Sequence, residues 1–259
     1  MGQLLKFVTS SAWMLLWAVL TVQSANAQTV NPQVVGHYPP TDDPWDGTDY
    51  RAVVQRVQKE GLALPTLADA GTKPVFDRMV NPDNIPLHMG LNQKLHVAIR
   101  FQKLDSALPA IHKLVVLYSN ETQKGKPYAT ELASLMVYES KVSSALLEVS
   151  EPFLATFAKE EKYQARVADI NQLKSNASQS YSGLVLGVTE ARLYSKPDML
   201  KIIRGALAAL PAHQPTFTSQ DKQGLTQKLT QQISVTTDQE LKTALTELRD
   251  AIEHSRIPT

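Results

Sequence analysis

Glu139 is the residue of this chain whose surroundings ask for chemistry. It stands in the run Leu132, Leu135, Glu139, Val142, Leu146, whose 3,4 spacing makes one face of a helix. A carboxylate on that apolar seam loses water, which raises its pKa unless a cation or a hydrogen-bond donor compensates. A carboxyl group that keeps its proton at neutral pH is what a general acid needs. The same placement also admits a structural role, a carboxylate paired inside a bundle to fix helix register. Arg192, Lys174 and Tyr181 are its candidate partners across a helical hairpin. Glu190, beside Leu186 and Leu193, repeats the pattern more weakly.

Glu139-Ser140, approached by Leu135-Met136-Val137-Tyr138, resembles the Glu-Ser pair of lytic transglycosylases, which are helical exported enzymes acting on peptidoglycan. The resemblance implies glycan cleavage with Glu139 as the acid. The family's Gly-Leu-Met-Gln stretch is absent, since the chain continues Lys141-Val142-Ser143-Ser144-Ala145-Leu146. The half of the signature that builds a substrate groove is therefore not carried over.

Other chemistries find less support. The histidines are His37, His88, His96, His112, His213 and His254, and none forms the His-x3-His or Glu-x2-His pattern of a helical metal site. No metal and no cofactor is expected. Phosphate-loop and nucleophile-elbow patterns are missing. The absence of cysteine excludes disulfides, thiolate zinc sites, a cysteine nucleophile and a lipid-anchored N-terminal cysteine. With 26 Lys and Arg against 25 Asp and Glu, the chain lacks the basic excess of a nucleic-acid binder.

A second candidate region is Val34 to Asp46, where apolar, aromatic and proline residues mix outside any helical pattern. Tyr38 and Trp45 are the expected anchors of this arm, either as a strap on the chain's own bundle or as contacts to a partner.

The elements that must position these residues are helices. Eight of the fifteen prolines fall between residues 28 and 90, so that region is an extended arm interrupted by short helices, about 49–59 with Gly61 as its stop and about 74–79. From residue 91 the apolar spacing is helical. Val97, Phe101, Leu104, Leu108, Ile111, Val115 and Tyr118 form one stripe, which Pro109 should kink or split with Asp105 or Ser106 as a new cap. Two long helices follow, 127–153 and 163–194, joined by the short polar stretch 158–162 as an antiparallel hairpin that Pro152 should bend. Gly183 and Gly187 on its second helix suggest close backbone packing. Residues 196–259 supply shorter helices, one through Leu210, one opened by Thr218 or Ser219, and one opened by a capping box at Thr237–Glu240. The expected fold is all-α: a bundle built on a long, kinked, antiparallel helical hairpin (91–195), with a Pro-rich N-terminal segment (28–90) and a C-terminal subdomain (196–259).

Residues 1–27 read as a signal peptide. Lys6 precedes the apolar run Ala12 to Leu20, and Ala25-Asn26-Ala27 has the small-x-small form a signal peptidase accepts. The run is too short to span a bilayer, which takes about 20 residues. Cleavage after Ala27 leaves basic and acidic residues equal in number, in a chain expected to be periplasmic or secreted and without a membrane span. The expected function is binding: an adaptor, inhibitor or immunity-type protein whose partner is another envelope protein or a second copy of itself. The alternative is a cell-wall enzyme using Glu139.

Overall fold

The computed structural model describes residues 38–39, 41, 44–89, 95–161, 163–189 and 192–255. The expected signal peptide, the first part of the arm and Glu190 lie outside the described residues. Among the described residues all regular structure is helical. The elements are α1 (Gly47–Glu60), α2 (Lys73–Met79), α3 (Asn84–Met89), α4 (Val97–Gln123), α5 (Ala129–Ala155), α6 (Tyr163–Gly187), α7 (Lys196–His213), α8 (Ser219–Val235) and α9 (Gln239–His254), with a 3-10 turn at Gln214–Thr216.

Local chemistry sets the boundaries. Asp46 opens α1 through a reciprocal capping box with Asp49, and Gly61 closes it at φ 69°, a left-handed conformation that costs glycine nothing. The His96 ring accepts from the Ala98 N–H and so caps the start of α4 at Val97. Thr218 and Asp221 form a second capping box at α8. The cap of α9 is Asp238, which accepts from the Leu241 N–H, and not Thr237 as its spacing suggested. A carboxylate at this position meets the free amides and the positive end of the helix at once, which a hydroxyl cannot match.

Pro109 does not split its helix. α4 runs unbroken through Pro109, and Ser106 donates back to the Lys103 carbonyl instead of capping a new helix. Pro109 removes one helical bond, at a cost of about 3 kcal/mol. Keeping Leu104, Ile111, Val115 and Tyr118 on one buried stripe offsets it. α7 likewise continues past Leu210, through Pro211 to His213.

The centre of the bundle is α5, which packs most extensively on α4 and α7 and also touches α6 and α3. Its seam residues Leu132, Leu135, Val142 and Leu146 are buried in one apolar core that extends from Trp45 in the arm to Ile252 in α9. A close helix approach is at Gly205 of α7. A β-carbon there would stand 2.6 Å from Val137 Cγ2 and 2.8 Å from Val137 Cγ1, both on α5. A β-carbon at Gly187 would meet the flexible tip of Met136 at 3.2 Å and Ile202 and Tyr194 at 3.9 Å, so Gly187 packs closely as expected, while Gly183 faces open space. Gly205→Ala is expected to lower stability by about 2 kcal/mol through overpacking, read as a lower denaturation midpoint in urea.

Candidate functional site

Glu139 is buried on the α4–α5 seam and bonds His112 of α4. Its Oε1 lies 2.8 Å from the His112 Nδ1, with Glu139 8% and His112 52% exposed at the side chain. The carboxylate beside it raises the His112 pKa against the opposing effect of burial. Glu139 therefore holds an imidazole whose outer edge faces water. Two of the three partners anticipated for it are engaged elsewhere: Lys174 pairs with Glu151, and Tyr181 donates to the Ala206 carbonyl at 3.0 Å. His112 was missed because its place on the preceding helix is visible only once α4 and α5 pair.

A second buried carboxylate, which sequence reasoning also missed, ties down the Pro-rich segment. Glu131 is 3% exposed, and its Oε1 accepts from the Thr66 hydroxyl and the Leu67 N–H, each at 2.7 Å. Tyr118 reinforces this strap by donating to the Pro65 carbonyl at 2.6 Å, and its burial pushes the phenol well above its ordinary pKa. Hydrogen bonds to a charged group contribute about 1.5–3 kcal/mol. Glu131→Ala is expected to remove about 3 kcal/mol and to open the 62–72 segment to limited proteolysis, while the helical circular dichroism persists.

The arm residues follow the same course. Tyr38 donates to the Ala63 carbonyl, and burial, then Tyr128, push its hydroxyl up to about 12. Trp45 is 1% exposed and meets Tyr50 edge-on, with ring centroids 5.6 Å apart. Its backbone N–H donates to the Asn84 Oδ1 at 3.0 Å. Asn84, itself fully buried, donates to the Tyr50 hydroxyl and to the Arg78 carbonyl, and Tyr50 shares a 2.7 Å hydrogen bond with Tyr138 of α5. Trp45 is thus packed into the core of its own chain, the strap arrangement that the sequence admits beside contacts to a partner. The physical reason is the Asn84 network, which fixes the arm where the sequence shows only proline and aromatic residues.

Open depressions lie between helices and away from Glu139. One, of about 370 Å³, runs between α1 and α4 past Arg51, Lys59, Asp105, Pro109 and Lys113. Another, of about 520 Å³, lies between α7 and α9 beside Leu207, Ala244 and Glu247. Neither is lined by Glu139 or His112. Among the described residues no three of His, Asp and Glu converge as a set of metal ligands, and no described helix is long and apolar enough to cross a membrane. No family model, curated protein or solved structure matches this chain.

Proposed function

We propose that the chain is an exported, periplasmic or secreted interaction protein, released by cleavage near Ala27, that acts by binding an envelope protein or a second copy of itself. One observation carries this reading. Glu139, the carboxylate best placed by sequence for acid catalysis, is buried and occupied by His112, and the depressions open to solvent are interhelical grooves without it. Grooves of this kind suit a segment of a partner better than a reacting small molecule. Under this reading, Glu139→Gln keeps partner capture by the tagged chain 28–259 at the wild-type level. Loss of capture in a variant that still folds would contradict it.

A second reading rests on the same pair. A buried carboxylate that orients a half-exposed imidazole is a proton-exchanging arrangement, and it supports the cell-wall enzyme with Glu139 as general acid. It requires that purified peptidoglycan release soluble fragments with the wild type and none with Glu139→Gln. No release from the wild type would end it.

A further inference from the structure

The groove between α1 and α4 has a net positive lining. Arg51, Lys59 and Lys113 line it, and none has a carboxylate within ion-pair distance among the described residues. The Arg51 guanidinium donates only to the Ser106 carbonyl and the Thr48 hydroxyl, each at 3.1 Å. Lys59 and Lys113 are exposed. Lys73, Lys124, Lys126, Lys174 and Lys196 each find an acidic partner, whereas other cations such as Lys141, Lys201 and Lys228 form no ion pair among the described residues either. What sets the groove apart is that it gathers three such cations against one carboxylate, Asp105, a lining that an acidic ligand complements.

The floor of the groove says what carries that charge. Val54 and Ala110 are buried beneath it and give it an apolar base. Pro109, exposed at the rim, has no N–H to offer the Asp105 carbonyl one turn earlier, which takes from that carbonyl its usual helical donor. A peptide answers all three features at once: carboxylates for the cations, side-chain carbons for the floor, and a backbone N–H for the carbonyl. An isolated phosphate or a polyphosphate chain answers only the first. Asp105 adds selectivity by repelling a segment whose carboxylates sit out of register.

We infer that the α1–α4 groove is the docking site for an acidic, partly apolar peptide segment of a protein partner, an inference that rests on the interaction reading above. The test uses the chain 28–259 and a fluorescently labelled eight-residue peptide alternating Glu and Leu, with the alternating Gln and Leu peptide as control. Fluorescence anisotropy at low salt is expected to show saturable binding of the acidic peptide only, weakened at least tenfold by K59E/K113E, strengthened by D105N, and unchanged by K228E on exposed α8. Both substituted lysines are exposed, so the double variant should fold, which circular dichroism verifies. Equal binding of the control peptide, or an equal loss in K228E, would overturn the assignment. Displacement by inorganic tripolyphosphate as effective as by unlabelled acidic peptide would assign the groove to anions in general and also overturn it. If K59E/K113E still captures an envelope partner stoichiometrically, the groove assignment fails while the interaction reading stands. No capture by the wild type fails the interaction reading itself.

Discussion

Trp45→Ala is expected to lower the unfolding free energy by about 4 kcal/mol, in the range for truncating a fully buried large aromatic. The indole is 1% exposed, so its removal leaves a cavity in a site that cannot collapse easily, because Asn84 continues to hold the backbone at residue 45. The edge-to-face contact with Tyr50 is lost as well, worth about 1 kcal/mol beyond the buried area. For a chain of this size the melting temperature should fall by roughly 10 °C. Val235→Ala is the internal control. Val235 is 70% exposed, and its truncation should change stability by no more than about 0.5 kcal/mol. Equal effects of the two substitutions would show that the arm does not belong to the cooperative core.

Acid is expected to destabilise the protein through His213. This imidazole is fully buried at the end of α7, stacked on Tyr181 with ring centroids 5.0 Å apart, and neither ring nitrogen has a hydrogen-bond partner at bonding geometry among the described residues. Burial pushes its pKa down to about 4, against a smaller opposing effect of the Ser140 and Ala177 backbone. In the unfolded chain the group titrates near its ordinary value of 6.5. Above that pH both states hold a neutral ring and His213 contributes no pH dependence. Between there and about 4 the unfolded chain takes up a proton that the folded one refuses, and stability falls by about 1.4 kcal/mol per pH unit. The accumulated loss by pH 4 is about 3 kcal/mol.

His112 works in the opposite sense. Its raised pKa adds stability that is fully present below 6.5 and fades as pH rises through the folded value. Its imidazole is half exposed, so solvent screens that contribution. Urea unfolding of the wild type and His213→Gln from pH 4 to 8 separates the two. The wild type should lose stability toward acid with a slope about one proton steeper than the variant. Identical slopes would mean that His213 is not buried as a neutral ring.

How much of this the sequence carried depends on the range of the interaction. Short-range signals are legible: the α4 stripe from Val97 to Tyr118, the Gly61 stop and the Thr218 cap each follow from residues within two turns of one another. Glu139 was legible as an anomaly because its neighbours on the same helix are apolar. Its partner His112, 27 residues away, was not, since nothing in local spacing chooses which helix α5 faces most closely. The Glu131 strap and the Asn84 network were hidden for the same reason. Both join a buried side chain to a segment without periodicity, where proline fixes the local backbone but not its destination. The groove charge emerged only from α1 lying on α4, because Lys59 and Lys113 are ordinary exposed helix residues in sequence.

The central claim is that this bundle acts by binding, with its buried polar groups holding the fold. Lysine cross-linking of the tagged chain 28–259 in its native envelope, followed by mapping of the adducts, tests it most directly. The expected result is one stoichiometric adduct, to an envelope protein or a second copy, with cross-links concentrated at Lys59 and Lys113 and unchanged in Glu139→Gln. A chain that stays monomeric without adducts, while the wild type but not Glu139→Gln releases fragments from peptidoglycan, would contradict it.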